Sequence, residues 1–84
     1  MNRNLYILFR SIHDVMKAEK ALKADGVWCD LVPVPKRIST ACGMAVQILE
    51  NDIRHFLRLA ADPEIHWVGA YRQEGAELIH METS

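Results

Sequence analysis

Four short stretches of the chain are apolar or alternating in the manner of strands, and two longer ones repeat their apolar residues at helical spacing. Leu5–Arg10 (LYILFR) is almost continuously apolar and rich in aromatic and branched side chains, which predicts a central strand buried on at least one face. Leu5, Ile7 and Phe9 share one side of it, Tyr6 and Leu8 the other. Ser11 then opens a helix: its hydroxyl can accept the amide of Asp14, and Asp14 places a carboxylate in the first turn. Ile12, Val15, Ala18 and Leu22, with Ala21 beside them, form the apolar stripe, while Lys17, Glu19, Lys20 and Lys23 fall elsewhere. Gly26 ends the helix where a left-handed residue is usual.

Val27–Val32 alternates as a second strand, with Val27, Cys29 and Leu31 inward, and Met44–Leu49 reads as a third. Glu50, Asn51 and Asp52 offer caps and acids to a second helix striped by Ile53, Phe56, Leu57 and Ala60, which Asp62-Pro63 stops. Ile65–Tyr71 is the fourth strand, with Ile65, Trp67, Gly69 and Tyr71 on one face. The pattern weakens after Arg72, so residues 73–84 are expected to form a polar tail, with at most a short extra strand at Glu77–Met81.

The order β-α-β-β-α-β predicts an α+β, ferredoxin-like fold: a four-stranded antiparallel sheet with two helices on one face, as a single domain over residues 1–72. In that topology the end of the first strand, the start of the first helix and the connection between strands two and three share one end of the sheet. That connection is Pro33–Gly43 (PVPKRISTACG). Its alternate prolines fix their own φ angles and hold their neighbours extended, and its length exceeds what two short strands need. We read it as the functional loop.

Composition narrows the classes. The chain has 84 residues, half of them apolar, and a formal net charge of −1, enough for one small core and without the footprint of a nucleic-acid or membrane-surface binder. No apolar run has the length of a membrane span, and the start of the chain leads straight into a strand rather than a signal segment. Two cysteines do not make a disulfide scaffold, so a cytoplasmic protein with reduced thiols is expected. Tyr6 and Phe9 resemble an RNA-stacking platform only in part, because the third strand carries neither an aromatic nor a basic residue. There is no C-x-x-C, and His55, His66 and His80 stand at no ligand spacing from either cysteine, so neither a metal nor a cofactor is expected.

The candidate chemistry rests on Cys42. A cysteine acts as its thiolate, and nearby cations, helix N-termini and convergent amides favour that form. Lys36 and Arg37 lie in the same loop, Ser39 and Thr40 add hydroxyl donors, and Gly43 lets the backbone turn its amides towards the sulfur. His13, in the first turn of the first helix, is a candidate proton partner or cation. The partners of a cysteine hydrolase are missing and the chain is short for a substrate cleft. A thiol that accepts and passes on a sulfur or selenium atom needs only exposure, an anionic form and a donor to dock with.

The run PVPKRISTACGMA resembles the signature of a small bacterial family of Se/S-carrier-like proteins, whose members read as strand, S-x-H-D-A-x-x-A-E helix, strand, P-x-P-x-R-I-S-x-x-C-G, strand, helix, strand. Ser11, His13, Asp14, Ala18 and Glu19 fit its helix, and Pro33, Pro35, Arg37, Ile38, Ser39, Cys42 and Gly43 fit its loop, with the likeness reaching to about Arg72. Thr40-Ala41 stands where hydroxyl residues are frequent in the family. The resemblance implies a carrier rather than a turnover enzyme. Cys42 would hold a persulfide or selenosulfide taken from a donor such as a cysteine desulfurase and given to an acceptor protein.

Two other readings stand beside it. A protein-binding or regulatory module would use the P-x-P loop and an open sheet face carrying Trp28, Trp67 and Tyr71, through which the chain could also form a homodimer. A redox switch would pair Cys42 with Cys29, which otherwise behaves as a small core hydrophobe.

Overall fold

The computed structural model describes residues 3–34 and 43–81. Strand β1 (Asn4–Phe9) is the middle of the sheet, with Leu5, Ile7 and Phe9 fully buried on one side. Helix α1 (Ile12–Ala24) follows at once. Ser11 is extended (φ −149°, ψ 162°), and its hydroxyl accepts the Asp14 amide, as the sequence requires. At the other end the Gly26 amide donates to Lys23 O (3.0 Å) and the Val27 amide to Leu22 O (2.9 Å), with Gly26 at φ +75°. These two bonds satisfy the last helical carbonyls, and Val27 and Leu22 enter the core together.

That closure shortens the second strand. The Val27 amide is taken by the helix, so β2 spans Asp30–Pro33 rather than Val27–Val32. It lies at the sheet edge, where Pro33 forfeits no ladder bond that the sheet needs. Strand β3 (Met44–Leu49) falls where the alternation places it, and Glu50–Asp52 forms a single 3-10 turn before α2 (Ile53–Leu59). Asp52 makes no side-chain cap bond, so the acids of this turn do not act as the expected cap.

The fold is α+β, with two helices and an antiparallel sheet of five strands, not four. Strand β4 runs Trp67–Glu74, and Glu77–Met81, allowed for above as an extra strand, pairs with it as β5. Gly75, at φ +60°, occupies the first of the two turn positions between them, where a type II′ hairpin needs a glycine. The order across the sheet is β2-β3-β1-β4-β5, so each helix-bearing connection steps over one strand. The helices touch each other, and Val15, Ala18, Leu22 and Phe56 share a single core with Leu5, Ile7, Phe9, Val46 and Ile48.

One irregularity redirects a tryptophan. The β1–β4 register passes from Leu8↔Gly69 to Phe9↔Trp67, so Val68 is an extra residue at a bulge. Simple alternation would put Trp67 with Tyr71 on the open face. Instead Trp67 turns to the helix side and meets Phe56 edge-on at 5.3 Å, while Phe56 meets Phe9 at 6.1 Å. Val68 is left exposed. Tyr71 stays on the open face opposite Tyr6, so the two aromatic residues expected to share a patch are separated by the thickness of the sheet.

Candidate functional site

The β1–β3 register pairs Leu8 with Ala45, so the end of β1 lies level with the start of β3, about 5 Å away across the ladder. The expected juxtaposition therefore holds for the described residues: the feet of the loop and the N-terminus of α1 sit at one end of the sheet. Pro33 pairs with Met44, and just beyond them the Val34 amide donates to Gly43 O at 3.0 Å. Gly43 has φ +72°, a left-handed value that other residues adopt with strain, and open space lies where a Cβ would project. The loop thus starts and returns at one anchored point. Arg37, Ser39, Thr40 and Cys42 lie outside the described residues, as does Lys36.

His13 is exposed in the first turn of α1. It lines a shallow open groove along that helix with Met16, Lys17, Lys20 and Lys23. Cys29 is 7% exposed and packs in the core, with its Sγ 3.9 Å from Glu19 O. Burial pushes its thiol above the ordinary range, with Glu19 and Asp30 adding to the effect and Lys23 opposing it. Such a sulfur is a weak nucleophile. It behaves as the small hydrophobe that the alternation of Val27, Cys29 and Leu31 implies.

The same end of the sheet holds a polar cluster that the sequence reading did not assemble. Asp14, 6% exposed, is the buried charged residue among those described. Its Oδ2 accepts the Ser11 hydroxyl at 2.9 Å, and its Oδ1 accepts the His66 amide at 3.3 Å and lies 3.2 Å from His66 Nδ1. Burial pushes the carboxyl upward, but the Ser11 hydroxyl and then the His66 amide and ring outweigh it, leaving the group below its ordinary value. Asp14 is therefore not the solvated cap residue that its place in the first turn suggests. His66 carried no signal in one dimension, because its partner lies 52 residues earlier. The opposite end of the sheet is tied instead by ion pairs linking Arg3, Glu74, Arg72 and Glu50.

Among the described residues, no three His, Cys, Asp or Glu side chains are grouped to hold a metal ion. Nor is any helix among them long and apolar enough to cross a membrane.

Comparison with known protein families gives a match. A family model described as "Putative Se/S carrier protein-like" covers residues 4–72, from the first residue of β1 to within β4. No curated protein and no solved structure matches the chain.

Proposed function

The chain belongs to the Se/S carrier protein-like family, and on that footing we propose that it carries sulfur or selenium, with Cys42 as the accepting atom. The family match is the observation that carries this reading, since it runs through both feet of the loop and the loop itself. The state of Cys29 adds to it: with that thiol packed in the core, Cys42 is left as the cysteine for chemistry. We read β1 to β4 as a ferredoxin-like frame to which β5 is added.

The transfer needs no redox partner. The Cys42 thiolate attacks the terminal sulfur of a donor's persulfide; the donor's S–S bond breaks as the new one forms, and the donor leaves as a thiolate. A selenium atom moves in the same way, giving a selenosulfide. In this proposal Arg37, Ser39, Thr40 and the Gly43 backbone stabilise the anion, together with His13 of the first turn of α1. The protein carries one atom at a time between a donor such as a cysteine desulfurase and an acceptor protein, in a reducing compartment such as the cytoplasm. It does not turn over alone.

Intact-mass spectrometry tests this after incubation with a cysteine desulfurase and either cysteine or selenocysteine. The expected product carries the mass of one added sulfur or selenium atom, which a reductant removes. Cys42→Ala abolishes the adduct and Cys29→Ala retains it. An unmodified Cys42 with both sources overturns the reading.

A further inference from the structure

We infer that the outer face of α1 is a docking surface for an acidic amphipathic helix of a partner protein. The surface is independent of the role given to Cys42. Helical spacing creates it. Val15, Ala18 and Leu22 turn one side of α1 into the core, while His13, Met16, Lys20 and Lys23 recur at steps of three and four residues on the far side. With Lys17 and Glu19 they line the open groove that follows the helix. Residues 13–23 cover about 15 Å of its axis.

The groove joins an apolar floor to a cationic rim. Met16 is 58% exposed where a solvated helix face ordinarily carries charge, and Ile12, about one turn earlier, is exposed too. Cys29 Sγ lies 3.9 Å from Glu19 O, so the segment bearing the exposed Trp28 runs beside the same helix. Three of the four large hydrophobic residues exposed among those described are thus gathered on or beside α1. Scattered exposure is ordinary; such a concentration marks a contact surface.

Charge sets the sign of the partner. The chain holds ten lysines and arginines against eleven aspartates and glutamates. Three of those cations and one of those anions line the groove, which leaves seven against ten elsewhere. A local positive excess on an otherwise acidic chain steers an acidic surface towards this face. Lys20 has no partner among the described residues. Lys17 and Lys23 meet Glu64 at 3.1 Å and Glu19 at 3.3 Å, in solvent-facing pairs that an incoming carboxylate can replace at little cost.

The apolar floor selects a protein over a nucleic acid. A phosphate backbone offers nothing to cover Met16, and the groove has neither an arginine nor an aromatic ring on which a base could stack. A partner helix with leucines one turn apart seats them on Ile12 and Met16, whose spacing matches its own. Its flanking carboxylates then reach Lys17, Lys20 and Lys23.

Fluorescence anisotropy tests this with a fluorescein-labelled helical peptide, leucines on one face and glutamates beside them, titrated with the full chain. Saturable binding that weakens with added salt is expected. Lys20→Glu combined with Lys23→Gln should weaken it about tenfold or more. Glutamine at position 23 spares the helix a like-charge pair with Glu19. Lys20→Gln alone, the mildest change, should weaken it about threefold. Met16→Asp should weaken it as well, whereas Arg54→Glu with Arg58→Glu, at two exposed positions of α2, should leave it unchanged. Far-UV circular dichroism checks that each variant is folded. Absence of binding, or equal affinity for a scrambled peptide of the same composition or for a single-stranded oligonucleotide, overturns the inference. So does indifference to the α1 substitutions, or a dimer in sedimentation that Met16→Asp dissolves, since the occupant would then be a second copy.

Discussion

Asp14 and His66 meet at 3.2 Å across 52 residues of sequence, and their contact joins the first turn of α1 to the entry of β4. The carboxylate completes its shell with the Ser11 hydroxyl and the His66 amide. A helix start, a strand end and a turn are thereby fastened at one end of the sheet, where the loop bearing Cys42 has its feet.

The sign of the Asp14 shift sets an acid response. Its folded pKa lies below the unfolded value of about 3.9, so its contribution is fully present above that value and fades as pH falls through it towards the folded one. Urea midpoints measured at about pH 6 and about pH 3 should fall less for Asp14→Asn than for the native protein. Equal falls would mean that the carboxylate is no better held in the folded chain than in the unfolded one.

Ser11 caps α1 and also donates to Asp14. Ser11→Ala is expected to cost about 1 kcal/mol or slightly more, and Ser11→Gly less. Chemical denaturation of the three proteins gives the comparison. A neutral alanine variant would show that the hydroxyl is replaceable by water.

Phe56 is the fully buried residue of α2 and stands between two aromatic rings. Phe56→Ala should destabilise by about 3–5 kcal/mol, as large-to-small changes at packed aromatics do. Its loss also bares one side of Trp67, so in a Trp28→Phe protein the folded-state emission should shift to the red. Unchanged emission together with a small loss of stability would contradict the edge-on packing.

Cys29 should resist alkylation while the chain is folded and react once urea unfolds it, since burial both hides the thiol and raises its pKa. Peptide mapping after iodoacetamide treatment, with and without urea, reads the two states. Comparable labelling in both would remove Cys29 from the core.

Much of this structure follows from neighbours in sequence. The Ser11–Asp14 cap, the Gly26 stop and the alternation of Met44–Leu49 depend on contacts or periodicities within a few residues, and each is found where the pattern puts it. The second strand was displaced by competition for one amide: Val27 closes the helix and so cannot begin a ladder. The second helix ends at Leu59, before Asp62-Pro63, as turn-type bonds from Ala61 and Asp62 replace its last turn. Arg37, Ser39, Thr40 and Cys42 were legible as a motif, and their chemistry remains a proposal of the family resemblance and the loop's composition.

The sequence by itself determined two helices, the paired strands between and around them, the family to which residues 4–72 belong, and the segment that carries Cys42. Tertiary structure decided what depends on register: the fifth strand, the bulge at Val68 that turns Trp67 into the core, and the partnership of Asp14 with His66. Local hydrogen bonds and apolar periodicity are written within a few residues of each other. A strand shifted by one residue sends every side chain to the opposite face, and only the assembled sheet fixes that choice.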